Sequence, residues 1–162
     1  MSPRGGRLER GFTLIEVLIV IVMIGVLLAL AAPSFVNYTS SQKVKTASFD
    51  LYAAMAFARS EALKRRQLVT VAANGGDWAA GWSVSATGVT DPLRIQDALS
   101  GVVTTSAATS VVYRQDGRLN SGSAVGVLIQ PQTADASISN RCVRIDLTGL
   151  PKTTITSATV CP

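Results

Sequence analysis

Arg10-Gly11-Phe12-Thr13-Leu14-Ile15-Glu16 opens a run of apolar residues that extends to Ala32 and holds a single charge, Glu16. As a helix, the 21 residues from Phe12 to Ala32 cover about 30 Å, the thickness of a bilayer's hydrocarbon core. A carboxylate near the centre of such a segment costs roughly 2.5–3.5 kcal/mol on insertion scales, and less near the interface. Glu16 therefore reads in one of two ways. Either it has a partner at membrane depth, or it lies close enough to the boundary to reach lipid headgroups.

The preceding residues, MSPRGGRLERG, carry Arg4, Arg7 and Arg10 against Glu9. Basic residues on that flank hold it in the cytoplasm, so the chain beyond Ala32 is expected to face outward. A secretory signal cut near Ala29-Leu30-Ala31 is the natural competitor, and an uncleaved anchor is another. The apolar core of a secretory signal is shorter, about 7–15 residues, and would not carry a glutamate five residues in.

Gly11-Phe12-Thr13-Leu14-Ile15-Glu16, an unbroken apolar run and then Pro33 resemble the class III signal of type IV pilins and of the pseudopilins of type II secretion. The resemblance implies a prepilin peptidase that cuts between Gly11 and Phe12 and methylates the new amino terminus at Phe12. It also implies that Glu16 pairs with a terminal amine during assembly. Low dielectric strengthens such a pair, because the Coulomb energy of two charges scales inversely with the dielectric constant. On this reading residues 1–11 are a leader, 12–32 a transmembrane and assembly helix, and 33–162 an ectodomain.

An ectodomain of that size suffices for one small domain. Its richness in Ala, Val, Ser and Thr suits β-structure. The full chain has 15 basic and 10 acidic residues; removing three Arg and one Glu with the leader leaves 12 and 9, a net +3. That is too mild by itself to indicate nucleic-acid binding. Cys142 and Cys161 are the only cysteines, and outside the cytoplasm they most simply form one disulfide. Without histidine, a zinc site and the Ser-His-Asp and Cys-His arrangements of nucleophilic catalysis lack their parts. No metal, cofactor or enzymatic activity is expected.

Beyond Pro33, which is expected to kink the helix, Val44, Ala47, Leu51, Met55, Ala58 and Ala62 recur at steps of three or four. That spacing predicts an amphipathic helix continuing to about 66. Glu61 and Arg65 are spaced for a surface ion pair. Lys64, Arg65 and Arg66 sit where cations favour a helix C-terminus, with contact to DNA or lipid headgroups as the alternative. The period then changes. Leu68–Ala73 and Gly81–Val84 read as a hairpin around Asn74-Gly75-Gly76-Asp77. Leu93–Gln96, Val102–Thr105, Ser110–Arg114, Ala124–Gln130 and Arg141–Leu147 are further strand candidates. Residues 131–140 read as a loop, and Gly149-Leu150-Pro151 as a break before the tail.

Phe57-Ala58-Arg59-Ser60-Glu61-Ala62-Leu63-Lys64-Arg65, Val69-Thr70-Val71, Trp78 with Gly81-Trp82, Asp116-Gly117-Arg118, and Arg141-Cys142-Val143-Arg144-Ile145 with Gly149 are similar, in this order, to the GspH/FimT group of minor pilins and pseudopilins. Trp78 and Trp82 are expected in a core. The resemblance implies an α+β, pilin-like fold, with a long N-terminal helix packed on an antiparallel β-sheet domain. It implies the inner membrane as first location, a periplasmic C-terminal domain, and other pilins or pseudopilins as partners. The expected function is a minor pilin of a type IV pilus, or a pseudopilin of type II secretion. Some members serve DNA uptake through a basic stretch after the late glycine, which makes double-stranded DNA a further candidate partner here. Leu150 stands where a second arginine belongs, so that role would fall to Lys152 with Arg141 and Arg144. On a strand, residues 141 and 144 point to opposite faces.

Overall fold

The computed structural model describes residues 12–161 and, within them, the side chains of all but 30–34. The leader 1–11, with Gly11 of the cleavage site, lies outside the described residues, whereas at Pro33, where a kink is expected, the helical assignment runs on without a break. The chain divides into two compact units after Val36.

One helix, α1, runs from Leu14 to Arg65. In the first unit its apolar side chains are exposed on every face, with Leu14 84% and Leu28 65% accessible. Among the described residues no helix is long and apolar enough to cross a membrane; the side chains at 30–32, which complete the expected span, lie outside them. In the second unit the stripe Val44, Ala47, Leu51, Met55, Ala58 and Ala62 is buried, as its spacing predicts. Burying a side chain of leucine size stabilises by about 1.5–3 kcal/mol. Arg66 follows the helix in the left-handed region, φ 53°, which ends the helical run.

Eight strands follow: β1 (Val69–Ala73), β2 (Trp82–Ala86), β3 (Arg94–Gln96), β4 (Val102–Thr105), β5 (Ser110–Tyr113), β6 (Val125–Pro131), β7 (Asn140–Ile145) and β8 (Pro151–Thr156). They form two four-stranded sheets, in the orders β3-β2-β1-β5 and β4-β6-β7-β8. Every pairing is antiparallel. The predicted single sheet is thus two, because β4 leaves its sequence neighbours and pairs with β6. In the first sheet Val71 lies between Val84 and Val111, and all three are buried.

The β1–β2 connection is not a simple turn. Two short 3-10 segments, Asn74–Gly76 and Trp78–Ala80, occupy it. Asp77 Oδ1 accepts from the Ala79 N–H at 2.9 Å and from the Thr104 hydroxyl at 2.8 Å, which pins the connection to β4. Trp78 and Trp82 are buried, with ring centroids 6.5 Å apart. The Trp78 indole N–H donates to the Ala108 carbonyl at 2.8 Å. Their part in the core is structural.

The C-terminal segment departs most from expectation. Gly149-Leu150-Pro151 does not end the sheet: Asp146 and Leu150 close a turn into β8, which pairs along all of β7. Pro151 takes the first place of an edge strand, where a missing N–H costs no ladder bond.

Candidate functional site

At the head of α1 the Thr13 hydroxyl accepts from the Glu16 N–H at 3.3 Å. Thr13 is the N-cap and Glu16 the third helical residue, the spacing of a capping box. A carboxylate in the first turn also suits the positive end of the helix dipole. The Thr13 hydroxyl therefore has a local role in starting the helix, a signal present in the Thr-x-x-Glu spacing that the membrane reading overlooks. Among the described residues, the ion pairs are those of Glu61 with Arg65 and Lys64, and none involves Glu16. Phe12, the first described residue, is exposed.

At the far end of α1 the scattered motif pieces meet. Arg59 Nε donates to the Gly117 carbonyl at 3.0 Å. Glu61, only 8% accessible, accepts from Arg65 Nε at 2.5 Å and lies 3.7 Å from Lys64 Nζ. The Arg65 hydrogen bond, with smaller help from Lys64, holds the Glu61 carboxyl below its ordinary range. This pair is more enclosed than the surface pair predicted. Gly149, at φ +80°, abuts the Gly117 carbonyl so closely that a Cβ there would sit 2.0 Å from that oxygen. Asp146 accepts from the Thr148 hydroxyl and from the Thr148 and Leu150 N–H groups. The Thr148 hydroxyl leads in keeping its carboxyl below the usual range. Tyr113 is fully buried beside this knot, and burial raises its phenol. The knot fixes the fold and holds no catalytic pair.

Cys142 and Cys161 are joined by a disulfide, with Cα atoms 5.3 Å apart. Val125, Val127 and Ile129 on β6 belong to the main core, whereas Leu128 and Cys142 are fully buried outside it. They lie on the opposite face of the second sheet. The tail returns over that face: the Asn140 amide donates to the Ala158 carbonyl at 3.2 Å. Gly126 leaves room for Cys161, since a Cβ at 126 would come within 2.8 Å of its sulfur.

The three candidate DNA contacts are not brought together. Arg144 and Lys152 are cross-strand partners, both exposed. Arg141 faces the other way, its guanidinium 5.9 Å from the centre of the Phe49 ring on α1.

Among the described residues no group of three His, Cys, Asp or Glu side chains is placed to hold a metal ion. A depression of about 580 Å³ beside the 131–140 loop has Asp135 as its one titratable residue. The Ser137 hydroxyl and N–H hold that carboxyl below its ordinary range, which offers no acid–base pair.

Comparison with known proteins matches this geometry. The family model described as Type II transport protein GspH matches residues 47–149. The model described as Prokaryotic N-terminal methylation motif matches residues 6–32. Two relatives described as Fimbrial protein, both from Pseudomonas aeruginosa, are 38% identical over 64 residues, which covers 40% of this chain and 42% of theirs. The chain thus spans less than half the length of the curated relatives it matches. Two solved structures share the fold. One is the type IV minor pilin FimU of Pseudomonas aeruginosa PAO1, with TM-score 0.61, 21% identity, and coverage of 77% of this chain and 96% of that one. The other is the minor pseudopilin EpsH of the Type 2 Secretion System of Vibrio cholerae, with TM-score 0.55, 10% identity, and coverage of 72% and 99%. Since residues 47–149, most of the chain, fit the model described as Type II transport protein GspH, the chain belongs to the GspH family.

Proposed function

We propose that the chain is a minor pilin of a type IV pilus: a structural subunit, without catalysis, that enters the filament through the first half of α1. The observation that carries this reading is that half-helix. From Leu14 to Leu28 its apolar side chains are exposed all round, and a helix apolar on every face is stable only when lipid or neighbouring helices cover it. The likeness to the fimbrial relatives supports the pilus; the GspH family description supports the second reading, a pseudopilin of type II secretion.

In this account residues 1–11 are removed by a prepilin peptidase between Gly11 and Phe12, and Phe12 becomes the methylated terminus. Residues 12–32 hold the subunit in the inner membrane until assembly, with 33–162 in the periplasm. Glu16 then serves as counter-charge to an amino terminus, its own or a neighbour's. Intact mass of the membrane-extracted protein tests the first step. The expected mass lacks eleven residues and carries one added methyl; a mature chain beginning at Ala32 would favour an ordinary secretory signal.

A further inference from the structure

The outer face of the second sheet, turned away from the main core, carries the depression of about 580 Å³ beside the 131–140 loop. Val103 of β4 and Gln130 of β6 are cross-strand partners there, and Gln130 shares the face of Leu128, two residues before it. Asn140 of β7 likewise shares the face of Cys142. The loop walls one side of the depression, and Ser157, just after β8, lines another. Hydrogen bonds hold these walls. The Asp135 carboxylate accepts from the Ser137 N–H at 2.8 Å, and its carbonyl from the Ile138 N–H at 3.1 Å. The Asn37 amide donates to the Ser137 hydroxyl at 3.3 Å, which ties the loop to α1. The Gln132 N–H donates to the Gly101 carbonyl at 3.1 Å. On the tail side the Asn140 amide grips Ala158, and the Cys142–Cys161 bond anchors the chain beyond it. The volume falls within the range of small-molecule sites, roughly 300–1,000 Å³.

One kind of polar group dominates the lining. Gln130, Gln132 and Asn140 bring carboxamides, and Ser139 and Ser157 bring hydroxyls. Among the described residues the Gln130 and Gln132 side chains have no hydrogen-bond partner, and Asn140 keeps its amide oxygen as an acceptor. Each carboxamide can both donate and accept. Val103, 41% accessible, and the methyl groups of Ala134 and Ala136 add small apolar patches. Asp135 is the one titratable residue, and the Ser137 hydroxyl leads in holding its carboxyl below the ordinary range, so it is anionic near neutral pH.

This lining discriminates among ligand classes. A carboxylate with no basic residue in the same depression repels phosphates and acidic peptides. Among the described residues no group of acidic side chains is placed to cage a metal ion. No aromatic residue lines the depression to stack a planar ring. A purely apolar ligand would leave the carboxamides without partners. A neutral ligand that carries both hydroxyls and amides satisfies every lining group. An N-acetylated amino sugar has that inventory: ring hydroxyls, and an acetamido group whose N–H and C=O complement a carboxamide and whose methyl suits Ala134 or Ala136. We propose that this depression binds a glycan of N-acetylated amino sugars, with Gln130, Gln132 and Asn140 reading its acetamido and hydroxyl groups and Asp135 disfavouring acidic substituents. Peptidoglycan strands and polysaccharides without acidic groups both offer this chemistry. The site lies wholly within the domain, so the inference holds for a pilus subunit and for a secretion subunit alike.

The test is fluorescence anisotropy of the full chain in neutral detergent against labelled chitotetraose, an oligomer of N-acetylglucosamine. Saturable binding is expected, and cellotetraose, which lacks the acetamido groups, should bind about tenfold more weakly, the effect of one good hydrogen bond. Gln130→Ala/Gln132→Ala should lose roughly ten- to a hundredfold in affinity. Ala136→Leu fills the depression from the exposed loop and leaves the carboxamides and β6 untouched; it should also abolish most of the binding. Gln115→Ala/Asn120→Ala removes two exposed carboxamides from a different depression and should change affinity by less than about twofold. Co-sedimentation with purified sacculi separates the two sources. Retention would assign the glycan to peptidoglycan, whereas chitotetraose binding without retention would assign it to a polysaccharide free of acidic side groups. Asp135→Asn should raise retention on sacculi, whose side groups are acidic, and leave chitotetraose binding unchanged. No binding of chitotetraose by the wild type, equal affinity for cellotetraose, or equal losses in the two double variants would overturn the proposal.

Discussion

The two halves of α1 treat the same kind of residue in opposite ways. Between Val44 and Ala62 the apolar side chains occupy one stripe and are buried by the strands of their own chain; between Leu14 and Leu28 they surround the helix and are exposed. The carboxylates repeat the contrast. Glu61 has Arg65 and Lys64 within its own turn of helix, whereas Glu16 has a backbone hydrogen bond and, among the described residues, no cation. A segment completed within its chain can be explained from its contacts. One that leaves apolar surface and a carboxylate uncovered points to what must cover it, and that reading ties the helix head to assembly.

Glycine substitutions in the two units should differ most strongly. Gly149→Ala forces a Cβ against the Gly117 carbonyl at a left-handed position, and should destabilise the domain by at least about 3 kcal/mol. Gly25→Ala meets nothing within 4 Å and should favour the helix by up to about 1 kcal/mol. Thermal unfolding of the full chain in detergent, followed by circular dichroism, should show the first variant melting far lower and the second unchanged or higher. Two equal shifts would mean that the domain knot is not rigid.

A smaller effect belongs to Glu61 alone. The Glu61 carboxyl is held below its ordinary value of 4.5. Its contribution to stability is therefore complete above that value and is lost as pH falls through the lowered folded one. Wild-type melting temperature should drop more steeply than that of Glu61→Gln as pH falls from about 5 to 3. Parallel curves for Glu61→Gln would remove the ion pair from the account of the helix end.

Much of this contrast is legible in the sequence, because both halves of α1 are read from local spacing: unbroken apolarity in one, steps of three and four in the other. Most strands carry their own alternation, and their ends shift by a residue or two. β8 is hidden because Gly149 and Pro151 are ordinary breakers; only pairing with β7 turns them into a hairpin corner and an edge-strand start. The division into two sheets is hidden for a similar reason, since Val102–Thr105 carries no mark of its distant partner β6. At the candidate sites, Glu16 stands out as a lone charge, yet Thr13 as its capping partner is passed over. The joining of Arg59 with Gly117 and Gly149 depends on three segments meeting, which no local pattern encodes.

If other subunits complete the exposed half of α1 through Glu16, sheared filaments will show it. Wild-type protein and Glu16→Leu are expressed at matched levels, and their amounts in membrane and sheared-filament fractions are compared by quantitative mass spectrometry. Both proteins should reach the membrane, since the substitution removes a polar cost of insertion. Wild type should be recovered in the filaments and Glu16→Leu strongly depleted from them; equal recovery of the two would contradict the claim.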